Sequence, residues 1–106
     1  MSGSEIGPLH FIWVAAALFG IGAAGAIVRR NALMLLMSIE LMLNAANLVF
    51  VAYAKQYGVA SGHAIAFFVM AIAAAEAAVG LAILIGVFRT RQTVEVDELD
   101  ALRDET

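Results

Sequence analysis

The sequence predicts an all-α membrane protein with three transmembrane helices. Hydrophobic residues make up 63% of its 106 residues and charged residues only 14%. A soluble domain of this size needs more polar surface, because small domains bury only about 60% of what their unfolded chain exposes. Three apolar runs, residues 9–28, 32–54 and 64–88, can each cross a hydrocarbon core of about 30 Å at about 1.5 Å per residue. A β-barrel would instead alternate polar and apolar residues in shorter segments.

The first run, residues 9–28, contains no Asp, Glu, Lys or Arg. Its small residues resemble those before a signal-peptidase cleavage site. However, the preceding segment MSGSEIG lacks a basic residue, and Arg29 and Arg30 follow the apolar run, whereas a signal peptide has its basic residues first. We therefore interpret the run as a retained helix. The short connection after it forces an antiparallel hairpin with the second helix.

The second and third runs each contain one carboxylic acid, Glu40 and Glu76 respectively. The segment KQYGVASGH, residues 55–63, separates the two runs and is expected to form a loop that turns at Gly58 and Gly62. Both carboxyls are then expected near the middle of the membrane, on adjacent antiparallel helices.

Basic residues predict the orientation of the three helices. Lys55 falls on one side of the membrane, and all the arginines fall on the other: Arg29, Arg30, Arg89, Arg91 and Arg103. Because basic loops stay in the cytoplasm, the N-terminus is expected outside and the C-terminus in the cytoplasm. This predicts a multi-pass protein of the cell's inner (plasma) membrane.

The chain divides into a transmembrane domain, residues 1–91, and an acidic cytoplasmic tail, residues 92–106. Six of the nine acidic residues lie between positions 95 and 105. Such a segment is too polar to enter lipid, and it is expected to be flexible or to dock on a partner.

Glu40 and Glu76 are the candidate functional residues. A charged side chain at the bilayer centre costs about 2.5–3.5 kcal/mol even on the most permissive scale. A protonated glutamate could act as hydrogen-bonding glue between helices, but such contacts contribute only about 0.6–2 kcal/mol, and Ser, Asn or Gln would make them without a charge. A carboxyl additionally takes up and releases a proton. The favoured interpretation is therefore a proton relay, and the alternative is structural glue.

Asn44 and Asn47 are interpreted as supporting polar residues. They follow Glu40 at spacings of four and seven residues, which places the three on one face of the helix. Their expected role is structural, either orienting Glu40 or holding water. Ser38 is given no role, because helical serines usually bond back to their own turn.

Small residues predict close contacts with other helices. They surround Glu76, and helix one carries two further surfaces, Ala16/Gly20/Ala24 and Gly22/Ala26. Small residues let helix backbones approach closely in membranes. We therefore expect helix three to be enclosed by more protein than three helices provide.

Several classes of site are excluded. The sequence has no cysteine, hence no disulfide, iron–sulfur ligand or thiolate metal site. Its two histidines are far apart, so no metal site is predicted. The charge pattern gives no indication of nucleic-acid binding, and no segment outside the membrane is long enough for a catalytic domain. No catalytic residue is assigned.

Three motifs occur in order along the chain: IVRRN after the first helix, IELMLNAANL in the second and AAAEAAVGLAI in the third. Together they resemble the subunit K family of bacterial NADH–quinone oxidoreductase (respiratory complex I). The mitochondrial counterpart of this subunit is the 4L chain. The resemblance implies that Glu40 and Glu76 belong to a chain of buried ionisable residues between the quinone end and the antiporter-like pumping subunits. It implies that Arg29 and Arg30 are the basic pair of the first cytoplasmic loop. FMN, iron–sulfur clusters and quinone would be bound in or near other subunits, and no cofactor by this chain.

Four alternatives stay open at this point. The C subunit of multisubunit sodium/proton antiporters shares the layout but is not expected to carry both glutamates. Small multidrug exporters have four helices, and the rotor subunit of ATP synthase has one carboxylate on a two-helix hairpin. A structural assembly subunit without a proton role requires both glutamates to be functionally silent.

Overall fold

A computed structural model of the chain describes residues 6–99, and these are almost entirely helical. Helix α1 spans Pro8–Val28, α2 spans Ala32–Tyr57, α3 spans Ala60–Arg91 and the short α4 spans Val96–Leu99. The first three are long and apolar enough to cross a membrane. The predicted all-α fold with three spans is confirmed. Within residues 6–99 the count of three also differs from the four helices of the small exporters and the two of the rotor subunits.

The connection between α2 and α3 is much shorter than the nine-residue loop expected from the sequence. Only Gly58 and Val59 lie between the two helices. Gly58 ends α2 in the left-handed conformation, with φ of 64°, and its N–H contacts the carbonyls of Ala54 and Lys55. Glycine adopts this conformation without the strain that a Cβ would bring.

Gly62, the second glycine of the expected loop, is a packing residue. It lies in the first turn of α3, and a Cβ built on it would come 2.5 Å from the Cβ of Ala54. Because Gly62 and Ala54 are both small, the two helices can approach closely at this point. The prediction that Gly62 turns the chain is wrong.

Helix α2 lies between α1 and α3, which contact it on opposite faces. Ser38, beneath the glycines of α1, faces one side, and Asn47 and Ala54 face α3 on the other. At about 100° per residue, Ser38 and Asn47 point about 180° apart around the helix axis. Within residues 6–99 the extensive helix contacts are those of α2 with α1 and of α2 with α3. The three helices therefore form a row, with most of their large apolar side chains exposed.

Two glycines let α1 approach α2 closely. A Cβ on Gly22 would come 2.7 Å from Met42 Cγ, and one on Gly25 would come 2.5 Å from Ser38 Oγ. Ser38 is buried there, and its hydroxyl donates to the carbonyl of Met34 at 2.8 Å, the expected bond within its own turn. Its burial under Gly25 gives it a packing role that the sequence analysis did not assign.

Only one of the two small surfaces predicted on α1 is used inside the chain. Gly22 is buried against α2, whereas Ala16, Gly20 and Ala24 are exposed. A Cβ built on Gly20 would meet nothing within 4 Å. The surface formed by Ala16, Gly20 and Ala24 is therefore left uncovered by α2 and α3.

The segment after α3 docks on the connection between α1 and α2. Residues 94–97 lie against residues 30–32, an arrangement that we call the C-terminal clamp. The N–H of Ala32 donates to Val94 O at 2.8 Å, and the N–H of Val96 donates to Arg30 O at 3.0 Å. An exposed ion pair joins Arg30 Nη1 to Asp97 Oδ2 at 3.2 Å. The clamp includes the start of the predicted tail, and residues 100–106 of that tail lie outside the described residues.

Candidate functional site

The register between α2 and α3 places Glu40 and Glu76 at the same height. Leu36 faces Gly80, where a Cβ would come 3.2 Å from Leu36 Cδ1, and Ala54 faces Gly62. Glu40 lies four residues from Leu36 and Glu76 lies four residues from Gly80, both in the direction of the turn at Gly58. Since each residue advances about 1.5 Å along its helix, the two glutamates reach the same level.

Glu40 lies in an open groove of about 360 Å³ on one side of the α2–α3 contact. We call this the Glu40 groove. Glu40 as a residue is half-buried, and Asn44 is exposed in the same groove. Apart from Glu40 and Asn44, the lining is apolar: Leu33, Leu36, Met37, Leu41, Ala77 and Leu81.

Glu76 is exposed and is not part of the Glu40 groove. Ala73 is buried in the contact with α2, and Ala77 lines the groove. At about 100° per residue, Glu76 is rotated from Ala73 by about 60° in the direction opposite to Ala77. The two glutamates therefore flank the helix contact on opposite sides, and no hydrogen bond or ion pair joins either carboxyl to another residue among the described ones.

Asn47 occupies a different environment from Glu40 and Asn44, although the three share one side of α2. Only 6% of Asn47 is exposed. Its Nδ2 donates to the carbonyl of Ala66 in α3 at 3.3 Å, and its Oδ1 is buried without a partner. Its hydrogen bond thus connects two helices, a structural role other than the two expected from the sequence, which were orienting Glu40 or holding water.

The basic pair between α1 and α2 has two structural roles. The N–H of Arg29 donates to Gly25 O at 3.0 Å and ends α1, while the side chain of Arg30 pairs with Asp97 in the C-terminal clamp. Next to them, Asn31 Oδ1 accepts from the N–H groups of Leu33 and Met34 and caps α2. The opposite charges of positions 30 and 97 are visible in the sequence, but their pairing depends on the helix lengths.

Metal binding is not supported within residues 6–99, where no group of three or more His, Cys, Asp or Glu side chains could hold an ion. His10 has a local role, since its Nδ1 accepts from the N–H of Gly7 at the start of α1. The described residues thus hold two carboxyls at one height on adjacent helices, and neither carboxyl has a hydrogen-bond or ion-pair partner within residues 6–99.

Comparison with known protein families gives one match over most of the chain. The family model described as NADH-ubiquinone/plastoquinone oxidoreductase chain 4L matches residues 10–104. This range includes α1 to α4 almost completely, both glutamates and the basic pair.

Individual relatives carry names of the same kind. NADH-quinone oxidoreductase subunit K of Anaeromyxobacter sp. (strain Fw109-5) is 61% identical over 94 residues, which cover 89% of this chain and 94% of the relative. Subunit K of Myxococcus xanthus (strain DK1622) is 55% identical with the same coverage of both chains. Subunit K 1 of Koribacter versatilis (strain Ellin345) is 54% identical over 100 residues, covering 94% of this chain and 98% of the relative.

Proposed function

The chain belongs to the family of NADH-ubiquinone/plastoquinone oxidoreductase chain 4L, and we propose that it relays protonation or charge within a proton-pumping NADH:quinone oxidoreductase. As a subunit of such an enzyme it has the other subunits of the complex as partners. The relay would pass through Glu40 and Glu76, between the quinone end of the membrane arm and the antiporter-like subunits.

The observation that carries the proposal is the placement of the two glutamates at one height on adjacent helices. A carboxylate at the bilayer centre costs about 2.5–3.5 kcal/mol, and neither carboxyl has a partner among the described residues to offset this cost. Groups of this kind in membrane proteins mark ion or proton pathways more often than packing sites. Their position on opposite sides of the α2–α3 contact suits a path that crosses the chain from one neighbour to the next.

Other subunits would supply the redox chemistry. We propose that FMN, the iron–sulfur clusters and quinone are bound in or near those subunits, and that this chain has no catalytic centre of its own. The sequence offers no thiolate for a cluster, because it contains no cysteine. The neighbours would also cover the exposed side of α3 around Glu76.

For the orientation, we propose an external N-terminus and a cytoplasmic C-terminus in the inner membrane. The pairing of Arg30 with Asp97 in the C-terminal clamp requires that the α1–α2 connection and the end of α3 lie on the same side of the membrane, and the basic residues there select which side. Basic residues at Arg29, Arg30, Arg89 and Arg91 then all face the cytoplasm, as the distribution of charge in membrane proteins requires.

The relay is tested with Glu40→Gln, Glu76→Gln and the double variant, because glutamine keeps the volume and hydrogen-bonding capacity but does not titrate. The complex should assemble and oxidise NADH with an artificial electron acceptor at the normal rate. Quinone reduction and proton pumping should fall together, because the two are coupled. The loss should be smaller for Glu76→Gln, since Asn44 in the Glu40 groove makes that site the better hydrated one.

Glu98→Gln is the matched control, since Glu98 is exposed in α4 outside the three membrane helices. It should leave both activities unchanged. If the assembled double variant reduced quinone and pumped protons at the wild-type rate, the glutamates would be structural and the relay proposal would be wrong.

A further inference from the structure

We propose that Asn47 is a positioning residue that sets the register between α2 and α3 and so keeps Glu40 and Glu76 at the same height. Its effect on activity rests on the relay function proposed above. Its effect on the register is a property of the helix pair and can be measured separately.

The rest of the α2–α3 contact does not select one register strongly. On α3 it consists largely of small residues in two groups, Gly62 and Ala66 near the turn and Ala73, Ala77 and Gly80 at the glutamate level, separated by one turn that carries Val69. Within each group the small residues recur about once per turn, so a slip of one turn would again present small residues to α2 over most of the glutamate level. Such a slip would move Glu76 by about 5.4 Å relative to Glu40.

Asn47 provides a directional contact that a slip would break. Its Nδ2 reaches the carbonyl of Ala66 at 3.3 Å, and both residues are buried. The amide orientation is determined by chemistry, since a carbonyl oxygen only accepts and Nδ2 is the donor of the side chain. Asn47 lies seven residues from Glu40, so the contact fixes the register about 10 Å along the helix from the glutamate level.

The cost of Asn47 indicates that stability is not its main contribution. Its Oδ1 is buried and has no hydrogen-bond partner among the described residues, and an unsatisfied buried acceptor carries the full penalty of its desolvation. A single hydrogen bond between membrane helices returns, on average, less than such a penalty. A buried asparagine in a helix contact is known to select register and partner at the expense of stability, and the balance here fits that role.

The absence of native cysteines allows a direct test by cross-linking. Leu36→Cys combined with Gly80→Cys reports the observed register, because these positions are in contact. Leu36→Cys combined with Ala77→Cys or Leu84→Cys reports slips of about one turn in either direction. With Asn47 present, oxidation of the assembled complex in membranes should give the Leu36–Gly80 product far in excess of the other two.

Two replacements of Asn47 separate register from packing. Asn47→Leu fills the site with an apolar side chain, and Asn47→Ala removes volume. Both remove the donor, so both should let the slipped products rise to yields comparable with the Leu36–Gly80 product, while quinone reduction and pumping of the assembled complex fall. If the slipped cross-linked products rose in only one of the two variants, the effect would be due to side-chain size, and the proposal would be wrong.

Asn44→Leu is the control for the cross-linking pattern, because Asn44 is exposed and makes no hydrogen bond to α3 among the described residues. In Asn44→Leu the cross-linked product should remain almost entirely that of Leu36→Cys with Gly80→Cys. If both Asn47 variants also gave almost only this product, Asn47 would not set the register, whatever the glutamate variants show. If the pattern spread while both activities remained normal, the link from register to the relay would be wrong.

Discussion

Individual residues differ in how much freedom the neighbouring helix leaves them. Gly22 and Gly25 lie directly against α2, whereas a Cβ on Gly20 would point into open space. All three are glycines of one helix within two turns, and the sequence alone does not distinguish them. Their different surroundings make them a sharp test of the α1–α2 packing.

Gly25→Ala should weaken the packing of α1 on α2. The new Cβ would come 2.5 Å from Ser38 Oγ, and an overpacked site typically costs about 1–3 kcal/mol. The amount of intact complex that survives heating in mild detergent should therefore fall. Gly20→Ala is the matched control and should behave as wild type inside this chain, since its Cβ meets nothing within 4 Å. Equal loss in both variants would assign the loss to contacts of α1 with neighbouring subunits, and not to its packing on α2.

Gln92→Gly should stabilise the end of α3. Gln92 ends the helix with φ of 60°, the one left-handed residue other than glycine in the described part of the chain. A residue with a Cβ is strained there by about 1–2 kcal/mol. Removing the Cβ should raise the midpoint of thermal inactivation of the complex slightly, and a lower midpoint would contradict the described cap.

Among the elements, the C-terminal clamp depends more on backbone hydrogen bonds than on charge. The Arg30–Asp97 pair is largely exposed, with 76% and 62% of the two side chains accessible, and exposed pairs contribute about 0–1 kcal/mol. Val96→Pro removes the N–H that donates to Arg30 O. It should expose residues 94–99 to added protease in inside-out vesicles.

Asp97→Ala is the comparison for that variant. Because it removes only the exposed ion pair, it should leave the protease sensitivity close to wild type. A strong effect of Asp97→Ala with none for Val96→Pro would show that the charge pair holds the segment.

The elements also show what could be predicted from the sequence. Length and hydropathy gave the three spans, because each run has to match the bilayer thickness. The sequence predicts that α2 ends at residue 54, because polar Lys55 begins a segment that resembles a loop. In the structure α2 continues to Tyr57, and Gly58 supplies the turn. Asn47 was grouped with Glu40 by its spacing, while its contact with Ala66 depends on how closely α3 approaches. The spacing of residues in the sequence thus predicts which of them share a helix face, whereas their contacts depend on how the helices pack.

At the scale of the whole molecule, the row of three helices leaves much apolar surface that no other described residue covers. Large side chains are exposed along all three helices, including Trp13, Phe67 and Phe68 at 70% or more. Lipid can cover such residues, but it cannot satisfy the carboxyls of Glu40 and Glu76. We therefore expect the chain to be stable only within the larger assembly.

Expression of the chain alone in its native membrane should lead to degradation or aggregation, measured by its half-life after a chase. Coexpression with the other membrane subunits should restore its level. A long-lived, protease-resistant monomer would contradict this expectation.

The proposed orientation predicts the labelling of single cysteines in the cysteine-free chain. Ser61→Cys, near the α2–α3 turn and exposed, should react with an impermeant thiol reagent added to intact cells. Thr106→Cys should react only after the cytoplasmic side is opened. Labelling of Thr106→Cys from outside would reverse the orientation.

The C-terminal clamp also bears on the order of events during synthesis. Arg30 leaves the ribosome before α3 and Asp97 have been made, so its charge is unpaired while the early helices are being inserted. That is the stage at which basic residues decide which side of the membrane a loop stays on. Asp97 can reach Arg30 only when the last span is in place. The same guanidinium can thus guide insertion first and afterwards lie in the clamp, where the backbone hydrogen bonds of residues 30–32 with residues 94–96 hold the segment.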